Sequence, residues 1–181
     1  MNRSSSRLLL SLTVAAALGV TVAAEAKLSG TGASSVEFKA IGPGGLKING
    51  KSSVVQVADD EKNVTITVPL GGLDTGIGMR NTHMKEKYLE VAKYPNAVLV
   101  VPRTAAGYPN GGSGDAAGTL TLHGQTKPVK FHYDVKKEGA EFAVHGTVHI
   151  NMDDFKIEKP SFAGATVRPD VDVDVAFRAK E

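Results

Sequence analysis

The densest group of chemically capable side chains in this sequence lies within nine consecutive positions. Arg80, His83, Lys85, Lys87 and Tyr88 all fall there. Cationic side chains next to a histidine and a phenol can orient an anionic or carbonyl group. With a carboxylate nearby, the same histidine can transfer protons. The cluster is therefore the first candidate for a binding or catalytic site.

Three interpretations of the cluster stay open at this point. In the first, Arg80, Thr75 and the start of a helix face an anionic or carbonyl head group. In the second, the residues are structural: Arg80 pairs with an acidic neighbour such as Asp74, and His83 is a structural histidine with its hydrogen bonds satisfied. In the third, His83 is the acid or base of an enzyme, and Asp74 is the second group that such chemistry needs.

The cluster belongs to a segment, Leu73–Pro95, that interrupts an otherwise alternating sequence. Asn81 or Thr82 can cap a helix there, and the proline ends it after about residue 92. The helix is expected to turn one apolar face inward, formed by Met84, Tyr88 and Val91. We therefore predict a short helical insertion that carries the cationic cluster.

The rest of the chain alternates apolar and polar residues with period two, which is typical of strands. The predicted strands cover approximately residues 35–40, 46–57, 64–70, 97–101, 120–122, 129–135, 142–150 and 171–177. A glycine-rich loop is expected at 105–116. Strands with one apolar face can bury it by closing into an antiparallel barrel. The prediction is an all-β, eight-stranded antiparallel barrel with a helical insertion after the third strand.

The side chains that point into this barrel are mostly of medium size. The sequence has no tryptophan and only 6% aromatic residues, so the bore can retain space for one slender ligand. A bore filled by its own side chains remains the alternative. Strand alternation predicts the following bore-lining residues: Phe38, Ile66, Val68, Leu99, Leu122, Phe131, Phe142, Val144, Val173 and Val175.

The first 26 residues have the pattern of a secretory signal peptide. Arg3 and Arg7 precede an apolar run at 8–22, and Ala24–Ala26 supplies small residues for cleavage. We expect a mature domain at 27–181 that is periplasmic or secreted and has no stable membrane insertion. The chain has no cysteine, so neither disulfides nor a lipid attached to cysteine are available. Its net charge of +2 argues against a nucleic-acid partner.

Two further patterns do not support cofactor chemistry. Gly45–Ser52 matches the phosphate-loop pattern G-x-x-x-x-G-K-S, but β-branched residues follow where the motif requires a helix. His123 and His132 flank a predicted hairpin, and the alternation places both on the outer face. No metal motif of the H-E-x-x-H or paired-cysteine type occurs. We predict neither a metal nor a cofactor, apart from a bound lipid.

Several spaced motifs resemble the YceI-like family. The main one is T-G, then Arg80, His83-Met84, an aromatic residue and Tyr94-Pro95. The segments G-T-L-T-L-H-G-Q-T-K-P-V at 118–129 and F-A-G-A-T-V at 162–167 match in the same order. One departure is Asn81, where the family usually has an aspartate.

The resemblance implies a lipocalin-like extended barrel whose bore binds a long polyisoprenoid or quinone-type lipid without chemistry. For the head group of such a lipid, we predict a site formed by Thr75, Arg80, His83 and Tyr88. A ligand-free structural or stress-related barrel and an enzyme acting on such a lipid are the alternatives. The exact ligand and a homodimeric state stay open.

Overall fold

Eleven strands and one short helical segment make up the part of the chain that the computed structural model describes, which is residues 27–105, 107–162 and 164–181. The predicted signal peptide, 1–26, lies outside these residues, so the boundary after Ala26 stays a prediction. The described strands are β1 (Ser29–Ile41), β2 (Lys47–Ser52), β3 (Gln56–Asp59), β4 (Asn63–Pro69), β5 (Asn96–Pro102), β6 (Gly112–Leu122), β7 (Gln125–Glu138), β8 (Glu141–Asn151), β9 (Ser161–Phe162), β10 (Ala165–Thr166) and β11 (Asp170–Lys180).

The helical segment lies between β4 and β5, as predicted. It consists of α1 (Gly78–His83) and a π-helical turn (Met84–Tyr88) that follows it directly. Single turns of 3₁₀ helix occur at Pro43–Gly45, Leu70–Gly72, Arg103–Ala105 and Met152–Phe155.

Nine strands form one antiparallel sheet in the order β2-β1-β11-β8-β7-β6-β5-β4-β3, and β9 and β10 form a separate hairpin. The two edge strands, β2 and β3, are consecutive in the chain, so the sheet must curl until its edges meet. Lys51 and Asp74 exchange both backbone hydrogen bonds, at 2.9 and 2.8 Å, and so join β2 to the segment after β4. The predicted all-β, barrel-like fold is confirmed.

The main sheet has nine strands instead of the predicted eight, because the second predicted strand is broken at residues 53–55, and the β9–β10 hairpin was not predicted. The Val54 N–H donates to Ser52 Oγ (3.2 Å) and the Val55 N–H donates to Ser34 Oγ (3.1 Å). These side chains replace the ladder partners of the bend. As a result β2 pairs with β1, whereas β3 pairs with β4.

The glycine-rich stretch also differs from the prediction, which made all of 105–116 a loop. Residues from Gly112 onward pair with β7, and Ala116 lies opposite Phe131. Glycine disfavours strands only moderately, and the partner strand supplies a complete ladder here. The loop between β5 and β6 is therefore shorter than expected.

Strand register gathers the apolar side chains on one inner surface. Phe38 lies opposite Val173, Val173 opposite Val148, and Val148 opposite Phe131. Directly paired residues project to the same side of a sheet, so these four form a row across β1, β11, β8 and β7. The same geometry explains Gly50. A Cβ there would lie 2.2 Å from the Phe38 ring, so this glycine accommodates an aromatic ring rather than a phosphate.

The antiparallel topology gives the barrel two distinct ends. The turns at 42–46, 70–95 and 152–169 lie at one end, which we call the upper end. The turns at 60–62, 103–111 and 139–140 lie at the other, the lower end. Met152, Phe155 and Ile157 pack under the upper end as part of the buried core, so the helical segment rests on a well-packed support.

Candidate functional site

The interior of the barrel contains an apolar cavity of about 1050 Å³. This volume is at the upper limit of typical small-molecule sites, so the bore is not filled by its own side chains. Valine, leucine and isoleucine dominate its lining. Every predicted bore residue lines it: Phe38, Ile66, Val68, Leu99, Leu122, Phe131, Phe142, Val144, Val173 and Val175. Their contact with a ligand stays a prediction.

A buried ion pair lies at the lower end of the cavity. Arg103 Nε is 3.2 Å from Asp59 Oδ2, and the two side chains are only 3% and 0% exposed. The backbone N–H groups of Leu28 and Glu61 donate to the same carboxylate at 3.0 and 2.7 Å. The Arg103 guanidinium also lies 4.0 Å from the centre of the Tyr108 ring. This arrangement places a neutralised polar floor beneath the apolar bore.

Neither Asp59 nor Arg103 was predicted from the sequence to line or close the bore. The two residues are brought together by the β3–β4 hairpin and the end of β5. The one available signal was an arginine directly after the continuous apolar stretch of β5, which is an unusual environment for a charged residue.

The predicted head-group residues lie at the upper end of the same cavity. Thr75, Arg80, His83 and Tyr88 all contribute to its lining. Arg80 is half-buried, and its Nη2 donates to the Thr75 carbonyl at 2.7 Å. Its Nε is buried, and no acceptor for it occurs among the described residues. An unpaired buried donor is costly, so the Arg80 guanidinium has unused hydrogen-bonding capacity beside the bore.

Asp74 does not pair with Arg80, and the structural interpretation of the cluster was wrong on this point. Its carboxylate accepts from Asn81 Nδ2 (2.7 Å) and from the Gly76 N–H (2.8 Å). Asn81 Oδ1 in turn accepts from the Thr75 N–H and hydroxyl at 2.8 and 2.7 Å. The Thr75 hydroxyl hydrogen is therefore committed to Asn81, and toward a ligand this oxygen can only accept.

Asn81 thus has a different role from the predicted helix cap. It lies inside α1, which starts at Gly78, and it ties the helix to the preceding loop. An aspartate at 81 would lose the N–H donor and would place a second carboxylate against Asp74.

We expect acid to release the loop before α1. The Asn81 amide, and then the Gly76 N–H, hold the pKa of Asp74 below its ordinary value of 3.8. A lowered folded-state pKa means that the contribution of Asp74 is complete above the ordinary value and is lost as the pH falls through the folded-state value. The amide resonances of Thr75 and Gly76 should therefore shift together in this acidic range. In Asp74→Asn they should not titrate there, and an unchanged titration in that variant would contradict the assignment.

The helical segment ends earlier than predicted. Glu90 has a left-handed backbone conformation (φ 44°), so the helix stops at Tyr88 rather than near Ala92. Met84, Tyr88 and Val91 nevertheless pack against the core, as predicted. The left-handed turn directs Glu90 toward β6, where its Oε2 lies 2.8 Å from His123 Nε2.

His123 was wrongly predicted to face outward. It is buried, with a left-handed backbone conformation (φ 49°) at the β6–β7 hairpin. Its Nδ1 donates to the Phe155 carbonyl at 3.1 Å, and its ring contacts Tyr94 edge to face, at 4.8 Å between centroids. The histidine therefore fastens the end of the helical insertion to the barrel. His132, in contrast, is exposed and hydrogen-bonded to Asp115 at 2.9 Å.

His83 is exposed at the last position of α1. The carboxylate of Asp74, its candidate catalytic partner, is engaged by Asn81 and Gly76. Among the described residues there is no group of three or more acidic or histidine side chains able to bind a metal ion. At the upper end of the bore, the cavity lining includes one partly buried arginine, Arg80.

The family assignment is based on the sequence and the fold together. Residues 20–179 match the model of the YceI-like domain. A UPF0312 protein of Pseudomonas savastanoi pv. phaseolicola is 30% identical over 125 residues, which make up 65% of this chain. That alignment spans 62% of the relative, so the chain covers less than two thirds of its length.

Two solved structures share the fold. One is described as a polyisoprenoid binding domain from Saccharophagus degradans implicated in plant cell wall breakdown. It has a TM-score of 0.72 and 20% identity, over 84% of this chain and 97% of the other. The other is BcnA of Burkholderia cenocepacia, with a TM-score of 0.66 and 20% identity, over 81% and 96%.

In the described part of the chain, none of the helices has the length and apolarity needed to span a bilayer. The family match covers most of the sequence, and its T-G-to-Tyr-Pro motif forms the helical insertion at the upper end of the bore. The chain belongs to the YceI-like family.

Proposed function

We propose that this protein is an exported, non-catalytic carrier that binds a long isoprenoid chain, of polyisoprenoid or quinone type, inside its barrel. The observation that carries the proposal is the apolar cavity of about 1050 Å³. The fold shared with a polyisoprenoid binding domain supports it. A periplasmic or secreted location rests on the predicted signal peptide and belongs to the proposal.

The tail of the ligand is expected to determine affinity. Each CH₂ group moved from water into the bore contributes about 0.8 kcal/mol, whereas a neutral hydrogen bond contributes about 1 kcal/mol net. A chain of several isoprene units therefore gains far more from the bore than from any single polar contact. The polar residues at the upper end orient the ligand and select its head group.

Arg80 is the residue best placed to select the head group. Its buried Nε lacks an acceptor among the described residues, and the side chain lines the cavity. A carbonyl or anionic group at the end of the isoprenoid would accept a hydrogen bond from the Arg80 guanidinium. In this arrangement Thr75, His83 and Tyr88 flank the head group.

A binding role accounts for the polar residues better than catalysis does. Proton transfer by His83 would need a second acidic or basic group, and Asp74 is hydrogen-bonded to Asn81 and Gly76. If the protein instead transformed a lipid, His83→Ala would abolish turnover and spare binding. If the protein is a carrier, neither the unchanged protein nor the His83→Ala variant should form a product.

Native mass spectrometry of protein purified from a host that makes isoprenoids tests the carrier proposal directly. We expect an additional mass that organic extraction identifies as an isoprenoid lipid. Protein that remains without adduct after incubation with polyprenyl and quinone lipids would contradict the proposal.

Arg80→Ala should weaken binding of a polar-headed isoprenoid about tenfold or more, because a hydrogen bond to a charged group is lost. Binding of an isoprenoid hydrocarbon without a head group should change little. Arg168→Ala is the matched control, since it removes the same charge from an exposed residue outside the cavity lining. Titration of each variant with both ligands measures the difference. Equal losses for the two ligands would show that Arg80 does not contact the head group.

A further inference from the structure

Three large apolar side chains are exposed around the upper opening of the bore. Leu46, Ile77 and Met79 have 59%, 52% and 74% of their surface accessible, and all three line the cavity. Leu46 follows the turn after β1, and the other two precede or begin α1. The Lys51–Asp74 backbone bridge links these two segments. We call these three residues the apolar rim. Apolar groups exposed together at an opening indicate an interaction site.

The segments that carry the apolar rim are positively charged. Residues 42–51 and 73–88 together contain five lysine or arginine residues and two acidic ones. Of the two acids, Asp74 is already hydrogen-bonded to Asn81. Among the cations, Lys87 is paired with Glu158 at 3.0 Å. The remaining cationic residues are Lys47, Lys51, Arg80 and Lys85. A partner surface that is apolar inside and anionic outside would match this arrangement.

We propose that the apolar rim docks reversibly on an anionic phospholipid bilayer, so that the bore opens toward the membrane while a lipid enters or leaves. This inference rests on the proposed carrier function. Shallow insertion of apolar side chains, combined with attraction of lysines to anionic head groups, is a general mode of peripheral membrane binding. While the protein is docked, the isoprenoid tail could move between the bilayer and the bore without contacting water.

A second copy of the chain is a less favourable partner for the apolar rim than a bilayer. A symmetric dimer would bring the same surface of both copies together. The lysines around the apolar rim would then face one another, and like charges oppose such contact. A bilayer that contains anionic lipid offers the opposite charge over a wide area.

Vesicle flotation tests the proposal with chains that start at Lys27, because the apolar run at 8–22 would itself bind lipid. These chains contain every described strand. The vesicles contain phosphatidylcholine with or without phosphatidylglycerol, and no isoprenoid. We expect binding to the anionic vesicles that weakens with salt. In Leu46→Ser/Ile77→Ser/Met79→Ser, binding should fall about tenfold or more. The single variant Met79→Ser replaces only the most exposed residue of the apolar rim. Its loss of vesicle binding should therefore be smaller than that of the triple variant.

Val54→Ser is the matched control, because Val54 is also an exposed large apolar residue (45%) but does not line the cavity. It should bind vesicles like the unchanged chain. Equal loss in this control, or no binding by the unchanged chain, would overturn the docking proposal. A change in oligomeric state without a change in vesicle binding would also overturn it, in favour of a second copy. Isoprenoid binding in detergent, measured in parallel, reports separately on the carrier function.

Discussion

Val173→Trp should weaken isoprenoid binding roughly 100-fold while leaving the protein folded. Val173 belongs to the inner row that also contains Phe38, Val148 and Phe131, and it lines the cavity. An indole there would occupy the space of several tail carbons. At about 0.8 kcal/mol per CH₂, displacing a few of them lowers affinity roughly 100-fold. Native mass spectrometry and ligand titration measure the loss.

The same substitution on the outer face provides the control. Lys130 precedes Phe131 on β7 and is exposed, so an indole at that position projects away from the bore. Lys130→Trp should bind ligand normally. Because the cavity has free volume, Val173→Trp should retain a cooperative unfolding transition, with a cost of about 1–3 kcal/mol at most. Full ligand occupancy in a folded Val173→Trp protein would exclude the bore as the binding site.

Asp59→Ala should lower the free energy of unfolding by about 3–5 kcal/mol, because it removes the buried carboxylate that forms an ion pair with the Arg103 guanidinium. It also removes the acceptor for the N–H groups of Leu28 and Glu61. A loss of this size is a large fraction of the stability of an ordinary domain. Urea unfolding followed by circular dichroism measures it.

Two comparisons make this prediction specific. Asp59→Leu/Arg103→Met removes both charges and should be less destabilised than Asp59→Ala, since the buried guanidinium is removed together with the carboxylate that pairs with it. Lys39→Met breaks a surface ion pair with Asp174 (2.8 Å) and should have little effect, as is usual for exposed pairs. A small effect of Asp59→Ala, similar to that of Lys39→Met, would show that the floor of the bore is not held by this pair.

The two ends of the bore thus have different roles. At the lower end, Arg103 and Asp59 neutralise each other and Tyr108 stacks on the guanidinium. At the upper end, Arg80 keeps a buried nitrogen without a partner among the described residues. An isoprenoid should therefore enter with its tail directed toward the floor and its head group near Arg80.

Local sequence patterns were reliable where the physical cause is local. Alternation along a strand places successive side chains on opposite faces, and this rule selected bore residues on β1, β4, β5, β6, β7, β8 and β11 that all line the cavity. It also distinguished the helical insertion from the strands. The motif around Arg80 and His83 correctly indicated the family.

Local patterns failed where a distant partner decides the conformation. The second predicted strand breaks because Ser34 of β1 binds the bend, and the helix ends at Tyr88 because Glu90 turns toward His123. Asn81 looked like a helix cap, yet its amide joins Asp74 to Thr75. The hydrogen bonds of Ser34 and Glu90 link segments whose proximity depends on the completed barrel, whereas the Asn81 bonds join residues six and seven positions apart.

The amino-acid sequence by itself determined the all-β class, the inward face of each strand and the position of the cationic cluster, since these follow from residue order along the chain. The tertiary structure alone decided that the bore is hollow, that Arg103 and Asp59 form its floor and that Asp74 is unavailable to Arg80. Free volume depends on how all inner side chains together fill a barrel of fixed circumference. Charge pairing depends on which loops the strand order brings to the same end.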